Sequence, residues 1–202
     1  MAKPTVYIVD DDPAVRDGLR ALLTVSGYTL ETFESAESFL AAIDRNTTGC
    51  AVLDIRMPGM SGLDLQRELK RRGIALPVII ITGHGDVPLA VAALKAGAVD
   101  FIEKPFDSDA LIGSIEEAFR RGAALASTFD RDTVAARVAQ LTPREREVMD
   151  LVVAGHPNKV VADRLGIAVR TVEIHRARVM EKAGARNLSE LIRMAILLDQ
   201  TA

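Results

Sequence analysis

Cys50-Ala51-Val52-Leu53-Asp54-Ile55-Arg56-Met57-Pro58-Gly59 is an apolar run that ends on a carboxylate and then turns. Three other segments share that form: Tyr7-Ile8-Val9 leads into Asp10-Asp11-Asp12, Val78-Ile79-Ile80-Ile81 into Thr82-Gly83, and Phe101-Ile102-Glu103 into Lys104-Pro105. Strands buried on both faces of a parallel sheet read as continuous apolar runs. Open α/β sheets bind ligands just beyond the carboxyl ends of their strands. Carboxylates, a hydroxyl and an ammonium at four such ends can therefore gather around a divalent cation and a phosphoryl group.

Working outward, strands are expected at Val6–Val9, Thr29–Phe33, Cys50–Leu53, Val78–Ile81 and Val99–Ile102. Helical patterns lie between and after them, at Ala14–Ser26, Ala36–Ile43, Leu63–Arg72, Pro88–Ala96 and Asp109–Arg120. Asp12-Pro13 reads as an N-cap followed by proline at the first helical position. Gly27, Gly49, Gly73 and Gly97 follow helical stretches, as C-terminal caps do. Five βα units imply a parallel sheet covered on both faces, the doubly wound (βα)5 architecture. In the flavodoxin-like order 2-1-3-4-5, strands one and three are neighbours at the switch point. That order brings Asp10, Asp11 and Asp54 together.

The 202 residues allow two modest domains, and 49% hydrophobic with 26% charged residues fits an ordinary globular chain. Residues 1–120 carry 12 basic against 18 acidic side chains, a net of −6. Residues 121–202 carry 13 against 10, a net of +3, which leans toward a polyanionic partner. Cys50 is the only cysteine, so no intrachain disulfide forms, and its apolar run marks it as a buried small hydrophobe. Apolar stretches fall well short of the roughly 18 residues that span a bilayer. Met1-Ala2-Lys3-Pro4 leads directly into a strand, leaving no room for a signal peptide, and a cytoplasmic location is expected.

Three divisions follow: a first domain over 1–120, a linker over 121–138, and a small all-α domain over 139–202. The Ala-rich linker favours helix, either extending the preceding one or forming a semi-rigid connector, with a flexible linker as the alternative. Thr142-Pro143-Arg144-Glu145 opens the last domain as N-cap, N1 proline and N3 glutamate of a capping box. Gly155 ends that helix. Helices over Asn158–Leu165, Arg170–Ala183 and Ser189–Leu198 complete a four-helix set containing a helix-turn-helix.

Two or three crowded carboxylates need a cation, and Mg²⁺ takes oxygen ligands octahedrally while keeping several waters. Asp11 and Asp54 suit direct ligation of Mg²⁺ (or Mn²⁺), with Asp10 acting through water. One Asp54 oxygen can then attack phosphorus in line to form an acyl phosphate. Lys104 would neutralise one phosphoryl oxygen and the Thr82 hydroxyl would donate to another. Residues 4–120 resemble the receiver domain of two-component response regulators, on Val9-Asp10-Asp11-Asp12, Asp54-Ile55-Arg56-Met57-Pro58-Gly59, Thr82-Gly83 and Lys104-Pro105. The resemblance implies that Asp54 is phosphorylated by a cognate histidine kinase and that the Arg56 carbonyl ligates the metal. It also implies a cis Lys104-Pro105 peptide and a Phe101 ring that turns inward as Thr82 closes on phosphate. By the same resemblance Arg56 and His84, at the mouth of the site, tune the lifetime of the acyl phosphate; solvated loop residues are the other reading.

At about 100° per residue, Val172, Val179 and Ala183 share one face of the third C-terminal helix. Arg170, Ile174, Ala177 and Glu181 lie roughly opposite, and Thr171, His175, Arg178 and Lys182 form a row along one flank. Such a row can bond successive phosphates while the neighbouring face meets base edges in the major groove. Together with Leu141–Glu145, Asn158-Lys159, Leu165-Gly166-Ile167, Arg170–Glu173 and His175-Arg176, residues 138–200 resemble the LuxR/NarL-type DNA-binding domain. The whole chain resembles a FixJ-type transcriptional regulator. Lys159, Thr171, His175 and Arg178 are then candidate phosphate contacts with Lys182 in the same row; Arg170, Glu173, Ile174 and Ala177 are candidate base contacts. Glu173 either accepts from cytosine or excludes wrong sites.

That resemblance implies double-stranded promoter DNA as partner, with RNA polymerase a further one, and no membrane. It implies a homodimer on phosphorylation, through a surface including Val91 and Lys95, although burial of Val91 in the monomer is an equal reading. Transcriptional activation follows, and regulators of this type include activators of nitrogen-fixation genes. A phosphatase with an aspartyl nucleophile would want a second acid two residues beyond it, where Arg56 stands. A protein-binding adaptor is the third reading, opposed by the Thr171–Lys182 row.

Overall fold

The computed structural model describes residues 5–83, 87–123 and 131–199. Strands β1 (Thr5–Val9), β2 (Thr29–Phe33), β3 (Cys50–Asp54), β4 (Val78–Thr82) and β5 (Asp100–Glu103) alternate with helices α1 (Pro13–Val25), α2 (Ala36–Ala42), α3 (Gly62–Arg72), α4 (Val87–Lys95) and α5 (Ser108–Ala123). All strands pair in parallel in the order β2-β1-β3-β4-β5. The doubly wound, flavodoxin-like reading of the sequence is therefore the fold observed. Central strands β3 and β4 are buried at every residue, as their unbroken apolar runs require, whereas edge strand β2 is half-exposed and carries Glu31 outward.

The two-residue period of the strands divides the core. Val6, Ile8, Val52, Ile79 and Ile81 pack with Leu19 and Leu23 of α1 and Leu111 and Ile115 of α5. Elsewhere Phe39 of α2 receives the rings of Tyr7 and Phe33 at 5.6 Å and 5.2 Å. Each fully buried aliphatic side chain is worth about 1.5–3 kcal/mol, so this two-sided burial stabilises the sheet whose carboxyl edge carries the site.

Local signals also hold. Asp12 caps α1 by accepting the Ala14 N–H at 2.8 Å. Gly49, expected as a helix cap, does something else: α2 ends at Ala42, and a Cβ on Gly49 would stand 2.2 Å from the Thr5 carbonyl. It is the glycine that lets the chain pass β1 before entering β3.

Contacts divide the described residues into two compact units, the sheet with α1, α2, α3 and α5 in one, and α4 with the remaining helices in the other. Those helices are α6 (Arg131–Val138), α7 (Pro143–Val153), α8 (Asn158–Leu165), α9 (Val169–Ala183) and α10 (Leu188–Asp199). Of the stretch read as a linker, α5 runs to Ala123 and α6 begins at Arg131, while 124–130 lie outside the described residues. Helix α6 lies against α9 and α10 with Val134 and Val138 buried. Helix α9 packs on α7 and α8 through Val172, Val179 and Ala183, the three positions its periodicity singled out.

Cys50 is fully buried, and that burial pushes its thiol up to about 12. A thiolate is the reactive form. In native buffer at pH 8, Ellman's reagent should therefore leave the protein unlabelled and titrate one thiol per chain once urea unfolds it; rapid native labelling would contradict this packing.

Candidate functional site

The carboxyl ends of four strands meet as the topology demands. Asp10 follows β1, Asp54 closes β3, Thr82 closes β4 and Lys104 follows β5. Lys104 Nζ donates to Asp10 Oδ2 at 2.8 Å and to Asp54 Oδ1 at 2.6 Å. The other Asp54 oxygen accepts the Arg56 N–H at 2.6 Å, and Asp10 Oδ1 accepts the Asp12 N–H at 2.9 Å. Asp10, Asp54 and Thr82 are buried, while Asp11 and Arg56 are exposed. The Thr82 hydroxyl stands 3.3 Å from the Gly83 carbonyl, and the Lys104 N–H is tied to the Thr82 carbonyl at 2.7 Å. The Lys104-Pro105 peptide is cis.

Burial raises the Asp54 pKa above the usual carboxylate value, and the Lys104 hydrogen bond and charge offset only part of it, with Asp10 adding to the rise. Burial works against the Lys104 charge too, but bonds to Asp10 and Asp54 outweigh it and hold the ammonium protonated. Two buried carboxylates thus share one cation. Among the described residues no three acidic, histidine or cysteine side chains stand together as a ready metal cage. The oxygen-only donors nevertheless suit a hard cation that needs one or two carboxylates and keeps its waters.

On α9, Arg170, Glu173, Ile174, Ala177, Arg178 and Glu181 are exposed, as is Lys159 on α8. Ile174 is 45% exposed, uncommon for isoleucine in a packed domain. Arg170 Nη1 pairs with Glu173 at 2.9 Å on this open face. Thr171 and His175 are half-buried, and His175 Nδ1 is shut away from solvent without a hydrogen-bond partner. Lys182, the last of the flank row, turns back: its Nζ donates to Glu145 Oε2 at 2.6 Å.

Two family models match this chain, the response regulator receiver domain over residues 6–116 and the bacterial regulatory proteins of the LuxR family over residues 139–195. The transcriptional regulatory protein FixJ of Bradyrhizobium diazoefficiens is 47% identical over 96% of this chain and 95% of its own length. FixJ of Rhizobium meliloti is 50% identical over 97% of each. The crystal structure of full-length FixJ from B. japonicum aligns over 98% of both chains at 45% identity with a TM-score of 0.59. The chain is a FixJ-type response regulator.

As such it joins a receiver domain to a LuxR-type DNA-binding domain and belongs with transcription regulators, not turnover enzymes; histidine kinases and DNA are the partners of this family. The phosphatase and adaptor readings are not favoured. In this FixJ-type regulator Phe101 is partly exposed and its N–H donates to Asp100 Oδ1 at 2.9 Å. The Asp100 carboxylate turns inward to the Ser114 hydroxyl at 2.7 Å. Val91 is buried and Lys95 exposed, so only the lysine offers its side chain to solvent. His84 lies outside the described residues. Among these residues no helix is long and apolar enough to cross a membrane.

Sequence reasoning missed two supports of the strand-end site. Arg16 Nη1 donates to the Asp10 carbonyl at 2.7 Å, a link with no motif to announce it. Gly62 opens α3 where a Cβ would stand 2.2 Å from the Asp54 carbonyl oxygen. A glycine followed by an amphipathic helix was visible, but the backbone it must clear was not. Gly62→Ala should push against β3 backbone and cost about 1–3 kcal/mol. A urea midpoint equal to wild type would contradict it.

Glu145 caps α7, accepts the Thr142 N–H at 2.8 Å and holds Lys182. The Lys182 bond, then the Thr142 bonds, lower its pKa from 4.5 to about 2. A depressed carboxylate adds stability that is complete above its unfolded pKa and lost as pH falls through the folded one. Urea midpoints of the helical unit should fall between pH 4.5 and pH 2, and Glu145→Gln should flatten that fall. An equal acid slope in both proteins would count against the pair.

Proposed function

We propose that Asp54 is the phosphoacceptor of a switch that controls promoter binding. The observation carrying this reading is the meeting of Asp10, Asp54 and Lys104 within hydrogen-bond reach at adjacent strand ends, with Thr82 on the strand between β3 and β5. In the transfer step an Asp54 oxygen forms a bond to phosphorus as the bond to the kinase imidazole nitrogen breaks, and that nitrogen keeps the electron pair. Asp10, Asp11, Asp54 and the Arg56 carbonyl are the groups that would hold Mg²⁺, or Mn²⁺, which when bound supplies positive charge against the phosphoryl oxygens. Lys104 pairs with one phosphoryl oxygen and the Thr82 hydroxyl donates to another. Phe101 follows Thr82 inward, and a dimer forms through the receiver face that includes Lys95, with Val91 buried beneath it. Arg56 and His84 set how long the acyl phosphate survives.

The receiver then spans 1–120, the linker 121–138 and the DNA-binding domain 139–202. Lys159, Thr171, His175 and Arg178 hold phosphates, and Arg170, Glu173, Ile174 and Ala177 face bases. The exposure of Lys159 on α8 and of Arg170, Glu173, Ile174, Ala177 and Arg178 on α9 supports this, as does the Arg170–Glu173 pair, which pre-sets a guanidinium for a bidentate contact. The location is cytoplasmic, RNA polymerase is engaged at the promoter, and the output is activation, of nitrogen-fixation or related genes as in the type it resembles.

The test compares wild type with Asp54→Asn. With acetyl phosphate and Mg²⁺, wild type should take up one phosphoryl group, sediment as a dimer and protect promoter segments in genomic footprinting. Asp54→Asn should do none of these. Equal phosphorylation of the two proteins would sink the assignment of Asp54.

A further inference from the structure

Lys182 ends the row Thr171, His175, Arg178, Lys182 that periodicity places along one flank of α9, and on spacing alone it belongs with the phosphate contacts. Its surroundings point elsewhere. Glu145 is only 2% exposed and lies in the first turn of α7. One of its oxygens accepts both the Thr142 N–H at 2.8 Å and the Lys182 ammonium at 2.6 Å. The Glu145 N–H in turn donates to the Thr142 hydroxyl at 3.3 Å. The Lys182 side chain is about two-thirds covered, at 33% exposure, whereas Arg170 stands 84% exposed on the open face of the same helix. A buried carboxylate stripped of its cation is strongly unfavourable. Lys182 cannot swing out to a DNA phosphate without leaving Glu145 in that state.

Resting on the DNA-binding reading above, we infer that Lys182 is a positioning residue, not a phosphate ligand: with Glu145 it ties the carboxyl end of α9 to the amino end of α7. The placement is favourable at both ends, since a carboxylate sits at a helix N-terminus and an ammonium in the last turn of another. Val172 and Val179 fix how deeply α9 sits against its neighbours, but apolar contacts are non-directional and leave sliding along the helix axis weakly specified. The Lys182–Glu145 pair at the far end of α9 sets that register against α7, as the Arg176–Asn158 bond at 2.5 Å does against α8. The base-facing residues Arg170, Ile174 and Ala177 then reach the groove at one fixed height relative to Lys159, the phosphate contact on α8.

The two roles separate in the salt dependence of binding. A side chain on a DNA phosphate releases counterions, so its loss makes the slope of log K against log salt shallower by about 0.9. A positioning residue changes affinity and leaves the slope alone. The experiment uses the full chain loaded with beryllofluoride and Mg²⁺, and a fluorescent duplex selected from a random pool by the wild-type protein. Affinity is read by anisotropy across a salt series, at a temperature where circular dichroism shows each variant fully folded.

Lys182→Met should bind about tenfold more weakly with an unchanged slope, and Lys182→Arg should restore wild-type affinity. Adding Glu145→Gln to Lys182→Met should cost nothing further, because partners in one interaction are not additive. If Lys182→Met fails to fold, Glu145→Gln alone decides, since it removes the buried carboxylate and leaves Lys182 able to turn to solvent: it should bind about threefold more weakly. A shallower slope in Lys182→Met, or wild-type affinity in Glu145→Gln, would overturn the inference while leaving DNA binding intact. A wild-type chain with no salt-dependent binding would overturn the DNA-binding reading and the inference with it.

Discussion

Asp10 and Asp54 are carboxylates that the sheet topology forces together, and one ammonium, Lys104, holds them there. The parallel order makes β1 and β3 neighbours, so the residues after one and at the end of the other converge whatever their charge. Like charges at that distance in a buried setting need a counter-charge, and β5 supplies it from the far side of β4. With one cation for two carboxylates, the site stays poised toward further positive charge. The hydrogen bonds from the Arg56 and Asp12 amides keep both carboxylates aimed while it waits.

The support beneath that site is backbone packing more than side-chain chemistry. Gly62 lets α3 start against the Asp54 carbonyl, Arg16 of α1 holds the Asp10 carbonyl, and the Lys104 and Thr82 main chains are bonded to each other. These contacts fix the ends of β1, β3, β4 and β5 to within a hydrogen-bond length. Such precision is what a phosphoryl-sized charge needs if its arrival is to move Thr82 and Phe101 and not merely be absorbed by a soft loop.

The helical unit solves a parallel problem with the opposite residue balance. Its apolar core joins α7, α8, α9 and α10, while the polar rim is set by local devices: the Thr142–Glu145 capping box, the Arg176–Asn158 bond at 2.5 Å, and an Arg186–Glu190 pair that begins α10. The same glutamate serves the cap of α7 and the end of α9. One buried charge therefore does for α9 what Lys104 does for the strand ends.

Much of this was readable from the chain alone. Continuous apolar runs in β3 and β4, turn residues after each, and the capping signals at Asp12-Pro13 and Thr142–Glu145 determined which segments are strands and helices, because those preferences are local. Parallel, right-handed crossovers followed from connection rules that act on any βαβ chain, and the order 2-1-3-4-5 was that of the flavodoxin-like fold and is the order observed. Three positions were not local matters. Gly49 read as a helix cap and proved to be a clearance beside β1; Gly62 carried no signal of the carbonyl above it; and Lys182 had the spacing of a phosphate ligand but is held by Glu145, 37 residues away. Periodicity says which way a side chain leaves its helix and nothing about what waits there. Which partner claims a charged group, and which glycine has a backbone against it, depends on contacts between segments distant in sequence, and only the tertiary structure brings those together.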